Sequence, residues 1–136
     1  MLLKQISIFI PNRKGTLAKL TGILGQNKID IRAISVFDTT EFGILRLVVD
    51  DPQKTLELLK QEGFVAKLSD VIAVEPEDKP GSLDRIFNIL AENDINIEYI
   101  YSYVMRMREL PYIVLKTSDM ERAITVLKEN GIKVIE

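Results

Sequence analysis

The chain has no cysteine, no histidine and no tryptophan among its 136 residues, and it has only seven glycines and five prolines. Without cysteine it forms no disulfides and offers no thiolate for catalysis or metal binding. Without histidine it lacks the commonest general base and the commonest metal ligand. The sequence therefore predicts a protein that is not an enzyme and that uses no metal or cofactor.

Long apolar runs are also missing, because no stretch approaches the roughly 20 residues that a helix needs to cross a bilayer. The N-terminal segment MLLKQISIFI is interrupted by Lys4, Gln5 and Ser7. We therefore expect no targeting segment, no membrane partner and a cytoplasmic location. A formal net charge of -2 provides no broad basic surface for a phosphate backbone, which makes nucleic acid an unfavourable partner.

The clearest pattern in the sequence is an internal repeat. With a shift of 66 positions, eight of the twenty residues from Gly15 to Ile34 are identical in the second copy. Further along the shift becomes 68, which places a two-residue insertion in the second copy near residues 105–110. A unit of this length present twice indicates a duplicated domain rather than a solenoid, whose units are shorter and need at least three copies. We predict two domains, residues 1–68 and 69–136.

Each copy shows the same order of predicted elements. A short β-branched run, ISIFI or VIAV, ends at a turn and is followed by an amphipathic helix, LAKLTGIL or LDRIFNIL. A predicted hairpin, a second helix and a final strand follow. In the first copy the second helix begins with Asp51 as N-cap and Pro52 at the first helical position, and Gly63 ends it. The order β-α-β-β-α-β, present twice, predicts an α+β fold of two ferredoxin-like domains, each with a four-stranded antiparallel sheet and two helices on one face.

The first helix of each copy carries a predicted apolar face. In the first copy this face contains Leu17, Leu20 and Leu24, and in the second copy it contains Leu83, Ile86, Phe87 and Leu90. Their spacing of three and four residues places them on one side of a helix, so we expect them in the core.

Two motifs resemble a known family. The segment DKPGSL, then a helix, then NDINIEYI resembles the ACT domain, a small-molecule sensor found on many amino-acid-metabolic enzymes. The first copy has the related segments NRKGTL and NKIDIRAI, with Lys14 where the family often has proline and Asp30 where it often has asparagine. Taken whole, the chain resembles stand-alone tandem ACT proteins, a regulatory family that binds amino acids.

The resemblance implies how such domains work. ACT domains pair side by side and bind an amino acid at the interface, where the ligand touches the strand-to-helix turn of one domain and the start of the second strand of its neighbour. It thus implies an amino acid or related small metabolite as ligand, a homodimer, and a metabolic enzyme as a further partner. The matching site residues are Asn12, Arg13, Gly15, Thr16, Asp30 and Ile31 in the first copy, and Asp78, Lys79, Gly81, Ser82, Asn96 and Ile97 in the second.

The chemistry of these residue types suits a zwitterion. Glycine in the turn lets a ligand approach the backbone closely and allows positive φ at little steric cost. The first turn of a helix leaves backbone N–H groups that attract a carboxylate. Side chains such as Asp78 and Asn96 can accept hydrogen bonds from an ammonium group, and Arg13 and Lys79 add positive charge beside an anion.

Simpler interpretations of the same turns stay open. Gly15 and Gly81 can serve only as tight turns, with Asp78 as the cap of its helix, Thr16 and Ser82 as local caps, and Arg13 and Lys79 facing solvent. In that case the chain is a ligand-independent scaffold or regulatory subunit that pairs with a metabolic enzyme through an exposed sheet edge.

A stripe of tyrosines adds a third interpretation. Tyr99, Tyr101 and Tyr103 alternate along one predicted strand, so their rings project from one face of the sheet. They can line an aromatic ligand pocket or fill an interface or core. A more distant alternative is an RNA-binding module, because the RNA-recognition motif shares the βαββαβ order and displays aromatics on its sheet. The acidic charge and the missing K/R-G-F/Y-G/A-F-V-x-F/Y pattern argue against RNA.

Overall fold

The computed structural model describes residues 3–38, 42–103 and 111–135, so the insertion predicted near residues 105–110 lies outside the described residues. Strands and helices follow one another in the predicted order, except that one continuous strand, β4, takes the place of the last predicted strand of the first copy and the first predicted strand of the second. The strands are β1 (Leu3–Pro11), β2 (Ile31–Asp38), β3 (Phe42–Val49), β4 (Val65–Glu75), β5 (Ile97–Tyr103), β6 (Tyr112–Thr117) and β7 (Lys133–Ile135). The helices are α1 (Thr16–Gln26), α2 (Pro52–Gln61), α3 (Ser82–Glu92) and α4 (Met120–Glu129).

The first compact unit is Lys4–Ser69, which contains the start of β4. In it β1 and β2 both pair antiparallel with β3, and β4 lies beside β1, which gives the strand order β2-β3-β1-β4. Alternate residues of β1 are buried because a strand turns successive side chains to opposite faces. Its core combines residues of β1 and β3 with residues of both helices: Ile6, Ile8, Ile10, Leu20, Leu24, Leu45, Leu47 and Leu59.

The second unit is built on Asp70–Glu136 and repeats this arrangement. The rest of β4 pairs antiparallel with β6 and β7, and β5 pairs antiparallel with β6, so the strand order is β5-β6-β4-β7. Residues of α3 and α4 share one core with one face of the sheet, which places both helices on that face: Ile72, Val74, Ile86, Leu90, Leu115, Ala123 and Leu127. The predicted α+β fold of two ferredoxin-like units is confirmed.

The local signals predicted for the second helix of the first unit are borne out as well. Asp51 is the N-cap of α2, where its carboxylate accepts a hydrogen bond from the Lys54 N–H at 3.1 Å, and Pro52 is the first helical residue. Gly63 follows the helix with φ of 86°, a left-handed conformation that glycine adopts easily. Within the described ranges, no helix is long and apolar enough to span a membrane.

Two of the leucines predicted for the core are exposed. Leu17 is 42% and Leu83 is 38% exposed, although Leu24 and Leu90 on the same helices are fully buried. Both exposed leucines lie in the first helical turn, next to the strand-to-helix turn. The apolar spacing identifies the face of the helix correctly but does not show where along it the core begins.

Candidate functional site

Glycine is the N-cap of the first helix in each unit. Gly15 has φ of 88° and ψ of -9°, and Gly81 has φ of 88° and ψ of -3°. A Cβ atom added to either residue would meet nothing within 4 Å. The backbone conformation, rather than crowding, therefore selects glycine at these positions.

These helices also lack the side-chain caps that the simpler interpretation assumed. The N-cap residues are Gly15 and Gly81, which have no side chain to accept a hydrogen bond from the first turn, so Asp78 is not the N-cap of α3. The Thr16 and Ser82 N–H groups donate to the backbone carbonyls of Arg13 and Lys79, both at 3.3 Å. The later N–H groups of the first turn and the positive end of the helix dipole point toward the glycine turn, which favours an anion there.

A cavity of about 300 Å³ lies beside the second of these turns. Three predicted site residues, Lys79, Gly81 and Ser82, line it. The other lining residues come from the end of β4, from α3 and from the turn into β7: Glu75, Pro76, Glu77, Pro80, Arg85, Ile86, Gly131, Ile132 and Lys133. The cavity thus has a glycine-rich opening, apolar walls and charged groups of both signs.

The charged groups are arranged as pairs around the cavity. The Lys79 ammonium lies 2.7 Å from the Glu77 carboxylate, and the Lys133 ammonium lies 3.1 Å from the Glu75 carboxylate. The hydrogen bond and the positive charge from Lys79 lower the pKa of the Glu77 carboxyl, and the charge of Arg85 contributes in the same direction. Arg85 also donates a hydrogen bond from Nη2 to the backbone carbonyl of Asn130. The cavity therefore offers both acceptors and donors to a zwitterion.

The corresponding turn of the first unit has a smaller opening. A cavity of about 70 Å³ there is lined by three predicted site residues, Asn12, Arg13 and Thr16. Its other lining residues are Ile10, Pro11, Leu17, Val36 and Gly43. This opening faces β2 and β3, whereas the cavity of the second unit faces β7.

Asp30 and Asn96, the predicted site residues before β2 and β5, form hydrogen bonds away from the two cavities. The backbone N–H of Asp30 donates to Asp50 Oδ1 at 3.0 Å, and the Asp50 N–H donates back to the Asp30 carbonyl at 3.2 Å. In the same way Asn96 exchanges two hydrogen bonds with Ser118, at 3.0 and 2.9 Å. Asp30 and Asn96, like Ile31 and Ile97 after them, line neither of the two cavities.

Strand register explains this separation. Ile31 at the start of β2 pairs with Val49, whereas Asp38 at the end of β2 pairs with Gly43, which also pairs with Ile10 just before the first turn. The turn therefore lies beside the end of β2, and the start of β2 is roughly 20 Å away at about 3.3 Å per residue. Within one unit the turn and the strand start cannot contact one ligand.

The tyrosine stripe lies on the sheet face that the helices leave uncovered. Leu115 belongs to the core beneath the helices, so its neighbour Val114 points to the opposite face of the sheet. Tyr101 pairs with Val114 and therefore points away from the helices as well. Tyr103 is buried and stacks on Tyr112, with ring centroids 5.7 Å apart. The stripe lines neither cavity, so an aromatic pocket at the turn is not supported.

Several residues around the larger cavity escaped the sequence analysis, above all Arg85, Glu75 and Ile132. Arg85 aligns with Lys19 in the repeat, and similarity of charge gave no reason to single it out. Ile132 follows a glycine that was expected only to end a helix. The juxtaposition of α3 with the turn before β7 is tertiary and has no local signal.

Comparison with known proteins agrees with the repeat and the fold. A family model described as an ACT domain pair matches residues 1–136. No curated protein matches the chain. A protein from Bacteroides thetaiotaomicron of known crystal structure is 32% identical, with a TM-score of 0.91 over 99% of this chain and 92% of that one.

Two more distant structures share the fold. The regulatory subunit of aspartate kinase from Thermus thermophilus is 23% identical, with a TM-score of 0.66 over 93% of this chain and 90% of that one. The corresponding subunit from Thermus flavus is 22% identical, with a TM-score of 0.65 over 95% of this chain and 93% of that one. The match over residues 1–136, together with two βαββαβ units that each carry the glycine turn, shows that the chain belongs to the ACT domain pair family.

Proposed function

We propose that the chain is a cytoplasmic, non-enzymatic regulatory protein that binds an amino acid at its glycine turns, where ACT domains of two copies meet. The single observation that carries this proposal is the cavity beside Gly81. It combines a helix start without a side-chain cap, a glycine that exposes the backbone, and charged side chains of both signs.

These features match the two ends of an amino acid. The α-carboxylate fits the positive end of α3, where backbone N–H groups and the guanidinium of Arg85 supply donors. The α-ammonium fits the carboxylates of Glu75 and Glu77 across the cavity. Because these carboxylates already pair with Lys133 and Lys79, a ligand ammonium competes with a lysine rather than entering an unbalanced anionic site.

A second copy is needed to bring a strand start to the turn. In this proposal two β5 edges pair antiparallel around a two-fold axis, so the start of β5 in one copy lies beside the end of β5 in the other. The Gly81 turn follows β4 and lies at the same end of the sheet as the end of β5. Asn96 and Ile97 of one copy therefore approach the β5 side of its neighbour's turn, opposite the side that faces β7. The β2 edges allow the same arrangement around Gly15.

Exposed apolar side chains at these edges support the homodimer. β5 is the last strand at one side of its sheet, and Ile100 on it is 38% exposed although it pairs with the core residue Leu115. Leu83 at the start of α3 is exposed to the same degree. On β2 the equivalent Ile34 is 48% exposed. Association of two edges would remove these side chains from water, which is favourable in proportion to the apolar area buried.

The same edges favour a second candidate function. An exposed sheet edge can add a strand from a partner without any metabolite, so the chain can act as a ligand-independent scaffold for a metabolic enzyme. The two functions differ in one respect that is easily measured, because only the first requires an amino acid.

The proposal is tested by a thermal-shift panel of the twenty common amino acids on the full chain. A ligand that binds only the folded state adds about 2.7 kcal/mol at a concentration 100 times its Kd, which raises the melting temperature. We expect an upward shift that is selective for one amino acid or a small related group. A panel in which no amino acid moves the melting temperature would favour the scaffold.

A further inference from the structure

The two halves of the repeat differ where the larger cavity lies. Alignment of the copies places Arg85 opposite Lys19 and Ile132 opposite Phe64. In the first unit the Lys19 ammonium lies over the Phe64 ring, 6.0 Å from its centroid, in a cation–π arrangement. In the first unit, the positions equivalent to Arg85 and Ile132 are thus filled by a lysine and a large aromatic ring that contact each other.

In the second unit the smaller Ile132 replaces the ring and Arg85 replaces the lysine. Arg85 reaches across to the Asn130 carbonyl, and Ile132 is buried with 8% exposure. The cavity of about 300 Å³ lies at this position, bounded by the Gly81 turn on one side and by the Gly131 turn on the other. Isoleucine is smaller than phenylalanine, so the side chain at this position fills less of the room between the two turns.

We propose that the two ACT domains have diverged so that one amino acid binds per chain, in the cleft of the second unit between the Gly81 and Gly131 turns. This inference rests on the proposed function and deepens it. The ligand is an α-amino acid with a small or aliphatic side chain. Its carboxylate faces Gly81, Ser82 and Arg85, its ammonium faces Glu75 and Glu77, and its side chain packs on the apolar walls.

Size and lining support this assignment. Small-molecule pockets have volumes of about 300 to 1,000 Å³, and the cavity of the second unit just reaches this range. The walls contain Pro76, Pro80, Ile86 and Ile132, and the tyrosine stripe is not among the lining residues. A cavity at the lower limit with aliphatic walls suits a short apolar side chain better than an aromatic one.

The opposing charges around the cleft also favour a zwitterion over a simple anion. Three cations, Lys79, Arg85 and Lys133, face two carboxylates, Glu75 and Glu77. An inorganic anion would bring only negative charge to a cleft in which Lys133 and Lys79 already balance these two carboxylates. An α-amino acid presents one charge of each sign, so both sets of side chains keep a partner when it binds.

The test exchanges the residues that distinguish the two halves. Isothermal titration calorimetry is done on the wild type with the amino acid that gives the largest thermal shift, then on Ile132→Phe and on the reciprocal Phe64→Ile. We expect one ligand per chain in the wild type, affinity lower by at least tenfold in Ile132→Phe, and wild-type affinity in Phe64→Ile. Because Ile132 is buried, its variant is first checked for a cooperative melting transition.

A second variant keeps the test decisive if Ile132→Phe does not fold. Arg85→Lys changes an exposed residue to its counterpart in the first unit and removes the planar guanidinium. We expect roughly tenfold weaker binding and a nearly unchanged melting temperature without ligand.

Each contrary result has a distinct meaning. The assignment to the second unit is overturned if a folded Ile132→Phe or Arg85→Lys binds the amino acid with wild-type affinity. It is also overturned if two equivalent ligands bind per chain. Both results leave amino-acid binding itself intact. Absence of binding by every amino acid to the wild type overturns the proposed function and this inference together.

Discussion

Leu24→Ala and Leu90→Ala are each expected to lower the free energy of unfolding by about 2–5 kcal/mol, the range measured for leucine truncation in protein cores. The two residues occupy equivalent positions in the repeat, on α1 and α3. Both have no exposed surface, and each belongs to the core of its own unit. Truncation removes apolar contacts and leaves a cavity that close-packed surroundings fill only in part.

Each helix supplies its own control. Leu17→Ala and Leu83→Ala make the same chemical change on the same two helices, at residues that are 42% and 38% exposed. We expect them to cost well under half as much, because less apolar surface returns to water. Urea denaturation followed by circular dichroism measures all four values. Equal losses at the buried and exposed positions would contradict the two cores described above.

Alanine at two glycines is expected to change stability in opposite directions. Gly81→Ala should lower the free energy of unfolding by about 1–2 kcal/mol, because a residue with a Cβ atom pays this much for the left-handed conformation. Gly22 lies inside α1 with ordinary φ, and a Cβ atom there meets nothing within 4 Å. Gly22→Ala should therefore raise stability by about 0.5–1 kcal/mol, since glycine is a poor helix former.

The comparison separates backbone strain from loss of space. At both glycines the added Cβ atom has room, so only the backbone conformation differs between the two variants. Thermal and urea unfolding of both variants measure the difference. A stabilising Gly81→Ala would mean that the turn does not hold the left-handed conformation, which would remove the reason for glycine at the proposed site.

Much of the fold was predictable because its signals are local. The caps at Asp51 and Gly63 depend on a few neighbouring residues, and the structure has them as predicted. The domain pair followed from the repeat alignment, which needs no contact information. Strand register and the position of the core along a helix depend on partners distant in sequence, and the burial of Leu17 and Leu83 was predicted wrongly for that reason.

The site was predictable only in part. Lys79, Gly81 and Ser82 were identified from their motif and do line the cavity. Arg85 and Ile132 were not, because they are distant in sequence and meet only through the packing of α3 against the turn before β7. The strand-start residues Asn96 and Ile97 keep their predicted role only if a second copy supplies them, since register places them at the far end of the sheet.

In the proposed dimer, a site shared by two copies would also couple ligand binding to regulation. A ligand shifts an equilibrium only by the difference in its affinity for the two states. An amino acid that touches the turn of one copy and the strand start of another binds the dimer more tightly than the monomer. By linkage, the ligand then strengthens the dimer by the same factor, and this changed assembly is what a partner enzyme would detect.

The central claim, that an amino acid binds at the Gly81 turn, is tested most directly by amide NMR of the isotopically labelled full chain. Each amide signal reports the surroundings of one residue, so a titration with the amino acid selected by thermal shift locates the contact. We expect the largest chemical-shift changes at Gly81, Ser82 and Arg85, with much smaller changes at Gly15 and Thr16. Unchanged signals throughout α3 and its turn at saturating amino acid would contradict the account.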